Sequence, residues 1–191
     1  PGELAGKHLF ILSGQSNMAR FKPDLWFTPG IGEALGAENV IVSFHAEGGK
    51  PISRWHREWT SSAGETDPEA GTIYDTLMEA TMEKTEGETI QTVTFIWMQG
   101  EADAKAGNSD VYLASLEGLK KQLEEDLERT DINFIIGRLS DAGFYRRRTR
   151  SGSNPPTGRP CAPRRRHSPT PPTWRSGSIP MTSTARSTSC T

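Results

Sequence analysis

Cysteine is missing from most of this 191-residue chain: the only two, Cys161 and Cys190, lie near its end. The preceding part therefore has no disulfide to staple it and no thiolate to offer a metal. No apolar run approaches the roughly 18 residues that a membrane-spanning helix requires, which excludes a transmembrane protein. A chain this long has room for one core of its own, at roughly 100–200 residues per domain, and that excludes a two-domain enzyme. Acidic residues and lysine are absent after Asp141, and Leu, Val and Phe are absent after Arg146.

These absences split the chain. Its formal charge of −2 conceals a segment ending at Asp141, with 24 acidic and 12 basic residues, and a segment 142–191 with ten Arg and no acid. The first carries −12 and the second +10. The expected organisation is a folded domain over residues 1–141, followed by a basic Arg/Pro/Ser/Thr-rich tail, 142–191. That tail cannot bury enough apolar surface to offset its chain entropy, so it is expected to be disordered. The chain starts at Pro1 rather than Met, which is consistent with a removed signal peptide and a secreted or periplasmic location.

Within the acidic segment, apolar runs alternate with amphipathic ones. Leu9–Ser13, Asn39–Ala46, Thr89–Met98 and Ile132–Leu139 are predicted strands, each a short apolar or β-branched stretch. Ile73, Tyr74, Leu77, Met78 and Met82 fall on one helical face. Tyr112, Leu113, Leu116, Leu119, Leu123 and Leu127 form a longer stripe, with Asn108 and Ser109 as expected caps. This alternation implies an α/β fold with helices on both faces of a parallel sheet. In such folds ligands bind beyond the carboxyl ends of the strands.

Three motifs occupy those ends. Ser13-Gly14-Gln15-Ser16-Asn17-Met18 follows the first strand. A serine there can expose its hydroxyl beside backbone N–H donors, or it can simply cap a helix. The strained G-x-S-x-G elbow is not met, because Met18 occupies the place of its last Gly. Gly48-Gly49 follows the second strand, where paired glycines permit close backbone approach to a ligand or form an ordinary tight turn. Trp97-Met98-Gln99-Gly100-Glu101-Ala102-Asp103 ends the third. The Gln99 amide could donate to a developing oxyanion, or the segment could be a polar strand terminus with Asp103 as a cap.

In this order the blocks GQSNM, GG-x-x-I-x-x-W and W-x-QGE-x-D resemble those of the SGNH hydrolases. More narrowly, they resemble the sialate O-acetylesterase-like group that includes carbohydrate esterase family six. The likeness runs from about Lys7 to Asp141, and Arg138-Leu139-Ser140-Asp141 is also similar to the group. It implies a three-layer α/β/α, flavodoxin-like fold whose C-terminal part is missing or disordered here. It also implies a metal-free and cofactor-free serine esterase that removes O-acetyl groups from carbohydrates of the acetylxylan or sialate type. Ser16 would be the nucleophile. Its own N–H, the N–H of Gly49 (or Gly48) and the Gln99 amide would form the oxyanion hole, with Glu101 in support. Trp55 would wall a pocket or, more simply, fill the core.

The family places its base and orienting acid near the C-terminus as Asp-x-x-His. Here no Asp follows Asp141, and the one later histidine is His167. His8 and His45 lie at or in strands. His56 is nearest the Gly48-Gly49 block, but no carboxylate marks it for a base. Two other functions remain. One is a non-catalytic carbohydrate-binding module on the same fold. The other, ranked last, is a nucleic-acid binder through the basic tail, although the acidic domain would repel that ligand. Neither a nucleic acid nor a membrane is an expected partner, and an acetylated carbohydrate is.

Arg without Lys, beside Pro, Ser, Thr and Ala, is also what GC-rich coding sequence yields out of frame. Taking the last base of each codon with the first two of the next, Met181-Thr182 must read Asp and Cys190-Thr191 must read His or Tyr. The stretch ending at Thr191 is compatible with D-D-L-N-G-T-I-D-E-L-H, which contains an Asp-x-x-His. The opposite shift meets a stop codon at Met181-Thr182. The hypothesis is a frame slip between Asp141 and Arg150. Sequencing the gene tests it: the junction codons are expected to spell Asp and His, and codons spelling neither defeat the idea.

Overall fold

The computed structural model describes residues 6–139. The expected disorder of the basic tail, Asp141 and His167 all lie outside those residues.

The four expected strands form one parallel sheet. They are β1 (Lys7–Gly14), β2 (Val40–Ala46), β3 (Ile90–Met98) and β4 (Asn133–Ile136), in the spatial order β2-β1-β3-β4. The fourth is shorter than its apolar run, because Gly137 turns the chain away after pairing its N–H with the Trp97 carbonyl at 2.7 Å. Strand β1 is central, and the chain leaves it first to one side and then to the other. The crevice between the ends of β1 and β3 is therefore the switch point where such sheets bind ligands.

Among the described residues five α-helices accompany the strands: α1 (Ser16–Ala19), α2 (Pro23–Leu35), α3 (Thr72–Thr85), α4 (Glu101–Ala106) and α5 (Tyr112–Asp126). Strand alternation divides their labour. Leu9, Ile11, Val93, Phe95 and Trp97 point to one face and make the main core with Ile73, Tyr74, Leu77 and Met78 of α3 and Leu119 and Leu123 of α5. Phe10 points to the other face and meets Phe27 of α2 edge-on at 5.5 Å. The α/β/α layering follows. Among the described residues no helix is long and apolar enough to cross a membrane.

The helical stripes need small corrections. Met82 and Leu113 are exposed, so the buried faces run through Thr81 and Ser115 instead. Thr81 satisfies its hydroxyl on the Ser43 hydroxyl and the Leu77 carbonyl, both at 2.7 Å. Asn108 and Ser109 do not cap α5. Val111 holds that position without a side-chain bond, and its N–H goes to Asp110 at 3.1 Å.

Helix α2 has no apolar stripe to announce it, and Pro29, Gly30 and Gly32 lie inside it. Its start is set by Pro23, whose ring presets the first helical φ, and by Asp24 in the first turn.

Two glycines show opposite demands. Gly14 ends β1 at φ +145°, and a Cβ there would lie 2.1 Å from the Met98 carbonyl oxygen. Gly30, inside α2, has nothing within 4 Å of where its Cβ would be. Gly14→Ala is expected to destabilise the domain by about 3 kcal/mol through strain and backbone displacement. Gly30→Ala is expected to stabilise it by about 0.5–1 kcal/mol. Urea denaturation of both variants checks the pair.

Candidate active site

Residues that follow β1, β2 and β3 converge at the switch point. Beyond Gly14, the Gln15 N–H donates to the Met98 carbonyl at 3.0 Å and so continues the β1–β3 pairing by one residue. Ser16 then opens α1. The helix cap is Gln15, and no side-chain capping bond is made. Ser16 is therefore not an N-cap, and its half-buried hydroxyl is not consumed by the helix. As the first helical residue it also has no i−4 carbonyl within α1 for its N–H.

Gly48 lies directly beside it. A Cβ built on Gly48 would be 3.9 Å from that of Ser16, in ordinary van der Waals contact with the serine. Gly49 follows at φ +74°, a left-handed conformation that glycine adopts without strain, and nothing lies within 4 Å of where its Cβ would be. Gln15, Gly49, Glu101, Ala102, Lys105 and Ala106 line a shallow surface depression.

The third block locks onto the other two through a buried polar network. The Gln99 amide nitrogen has three acceptors, Gln15 Oε1 at 3.2 Å, the Lys50 carbonyl at 3.0 Å and Asp103 Oδ2 at 2.6 Å. All three are acceptors, so only an NH₂ can face them, and that fixes the amide orientation. Gln15 Oε1 also accepts from the Ala102 N–H at 3.1 Å, near the start of α4. Asp103 Oδ2 accepts from the Ile52 N–H at 2.9 Å. Asn17 Nδ2 donates to Glu101 Oε1 at 2.8 Å, tying the residue next to Ser16 to the third block. Gln99 Oε1, Glu101 Oε2 and Asp103 Oδ1 are buried acceptors without partners among the described residues.

Burial raises the Asp103 carboxyl above its usual value, opposed by the bonds from Gln99 and the Ile52 N–H, which favour the charged form. Below the third block, the Tyr112 hydroxyl donates to the Gln99 carbonyl at 2.9 Å and accepts from Trp97 Nε1 at 3.2 Å. Burial pushes this hydroxyl up to about 12, so it remains a neutral donor.

Ser16, Gly48, Gly49, Gln99 and Glu101 thus belong to one neighbourhood. Trp55 does not wall a pocket. It is fully buried, edge-on to Trp97 at 5.2 Å, and its indole N–H donates to Ser13 Oγ at 2.8 Å. That bond satisfies the polar end of an otherwise apolar side chain.

The described histidines make their contacts elsewhere. His8 Nδ1 pairs with Thr92 Oγ1 at 2.8 Å, and His45 is 3.6 Å from Glu47. His56 packs against α5, where a Cβ on Gly118 would come within 2.3 Å of its Nε2. Burial lowers its pKa, opposed by Glu58, and its Nδ1 has no partner. Among the described residues no hydrogen bond joins a histidine ring to Ser16, and no cluster of His, Cys, Asp or Glu could hold a metal ion.

Sequence reasoning gave Gln15 no role and Asp103 only that of a cap. The signal for the pair Gln99/Asp103 was their spacing of four, which places both on one side of the turn into α4.

Asp103→Asn is expected to gain stability relative to the parent chain as pH rises. A carboxyl raised in the folded state stabilises the fold while protonated, and that contribution is lost as pH rises from the ordinary carboxylate range through the raised value. Chemical denaturation at pH 4 and pH 7 checks the sign. A difference between the two chains that is constant with pH would contradict it.

A family model described as carbohydrate esterase, sialic acid-specific acetylesterase, matches residues 19–154. The match contains the second and third blocks and starts one residue after Met18. No curated protein matches the chain.

Proposed function

Since the chain belongs to the carbohydrate esterase family of sialic acid-specific acetylesterases, we propose that its site is built to remove O-acetyl groups from carbohydrates through Ser16. The observation that carries this reading is the placement of Ser16. It is the first residue of a helix directly after the central strand, has no capping bond, and lies against Gly48.

In the proposed reaction, Ser16 Oγ attacks the acetyl carbonyl and the sugar oxygen leaves, taking a proton. Water then releases acetate and restores the serine. The charge that develops on the carbonyl oxygen needs fixed donors. The Ser16 and Gly49 N–H groups supply two. The Gln99 amide is the third, exchanging one of its weaker acceptors, Gln15 or the Lys50 carbonyl, for the oxyanion. Glu101 supports the site by holding Asn17.

The serine also needs a base and a group to orient it. No described histidine bonds to Ser16, and the Asp-x-x-His of the family is legible only in the shifted frame. This chain is therefore proposed to be impaired in turnover while keeping the groups that bind the acetyl group. The same observation favours a second reading, a carbohydrate-binding module that retains the groove without hydrolysis. Binding of an acetylated xylan or sialoside without acetate release distinguishes it.

Acetate release from an acetyl ester tests the first reading. This chain is expected to be nearly inactive, and the chain with its frame restored is expected to turn over. Ser16→Ala in the restored chain is expected to cost at least about 10³-fold, as removal of a nucleophile does. Turnover that survives Ser16→Ala overturns the assignment of the nucleophile.

A further inference from the structure

We infer that Asp103 is the positioning residue of this site: its carboxylate pins the Gly48–Gly49 loop and the Gln99 amide to one another. The inference rests on the reading of Ser16 and Gly49 given above.

Asp103 is 1% exposed, yet among the described residues it makes no ion pair. A buried carboxylate is costly unless its hydrogen bonds are arranged for it. Both donors to Oδ2 come from the proposed site. One is the side chain of Gln99, at 2.6 Å, and the other is the backbone of Ile52, at 2.9 Å. The Gln99 amide in turn reaches the Lys50 carbonyl at 3.0 Å. The segment after β2 is thus held at two points, Lys50 and Ile52, by one carboxylate and the amide it orients.

The glycines themselves have no such hold. Gly48 and Gly49 are exposed, carry no side chains, and nothing packs where a Cβ of Gly49 would be. Their location follows from Glu47 before them, whose N–H bonds to the Gly14 carbonyl at 3.2 Å, and from the pinned residues that come next. Pro51, at φ −74°, stiffens the link between the two pins. A carboxylate suits this task because one oxygen can accept from a side-chain amide and a backbone N–H together, and both bonds are charge-assisted. Asparagine has the shape of the carboxylate and keeps an acceptor at Oδ2, so it separates the acceptor from the charge.

The test uses the chain as it exists, with Asp103→Ala and Asp103→Asn. Amide hydrogen exchange is followed at residues 48–52, with residues 9–13 of β1 as the reference. Affinity is measured for methylboronic acid, which adds to a serine oxygen as a tetrahedral anion while the serine proton leaves to water. Loss of a charge-assisted bond in Asp103→Ala is expected to speed exchange at Ile52, whose N–H loses its acceptor, by at least about tenfold and to weaken the boronate by a similar factor. The β1 reference should not change, and Asp103→Asn should restore both readouts to within about threefold, as the retained acceptor requires. Should alanine prevent folding, Asp103→Ser, too short to reach both donors, replaces it with the same expected result.

Unchanged loop exchange in the alanine or serine variant overturns the inference, as does an asparagine variant that behaves like alanine. Ser16→Ala separates the two readings. If it leaves boronate affinity intact, the nucleophile assignment fails, while loop exchange still decides whether Asp103 pins the loop.

Discussion

The site depends on the pairing of β1 with β3 at their carboxyl ends. Gly14 lies so close to the Met98 carbonyl that no side chain fits between them, and the next N–H bonds to that same carbonyl. This contact brings the residue before Ser16 alongside the residue before Gln99. Two motifs far apart in sequence become one edge of a crevice because two parallel strands are in register. Strand β2 pairs with β1 on its other side, through Gly14 and Ala46, and delivers the Gly48-Gly49 motif to the same end. The acidic domain thus brings Ser16, the Gly48-Gly49 loop and the Gln99 amide together from strand ends alone.

Beneath that edge, the core supplies rigidity. Trp97 stacks on Phe95 at 5.8 Å and meets Trp55 edge-on, while the polar ends of the indoles reach Tyr112 and Ser13. Each of these two indole nitrogens has a partner that leads to the site. Ser13 precedes the first motif, and the Tyr112 hydroxyl donates to the backbone of Gln99. The aromatic packing therefore also sets where the strand ends point. Among the described residues the polar layer directly above it keeps three unpartnered acceptors, on Gln99, Glu101 and Asp103, while Thr28 Oγ1, His56 Nδ1 and Trp59 Nε1 lack partners elsewhere. Buried groups of that kind are uncommon in cores and concentrate where a protein binds or reacts.

Much of this was legible in the sequence, for identifiable reasons. The four strands were readable because apolar, β-branched runs end at glycine or polar turns, and α3 and α5 because they bury one stripe. Helix α2 was not, since its apolar residues form no stripe and Pro29 argues against a helix. Its N–H is missing, but the sheet contact of Phe27 holds the segment in place. At the site, Ser16, Gly48, Gly49, Gln99 and Glu101 were identifiable because their blocks resemble a family. The network joining them was not, because Gln15 and Asp103 act through tertiary partners that no local pattern reveals. Trp55 could be read as wall or core, and only its burial decides for the core. The base could not be found, since the sequence after Asp141 in this frame offers no Asp-x-x-His.

The contact between His56 and Gly118 has a consequence of its own. The imidazole fills the space that any side chain at 118 would need. The two positions are epistatic, and the order of change matters. A residue larger than glycine at 118 requires the imidazole to swing away or 56 to become smaller, whereas 56 can shrink first at the cost of a void. Among diverging copies of this chain, an alanine at 118 should therefore appear on backgrounds that have already lost the histidine, and the reverse order should be rare.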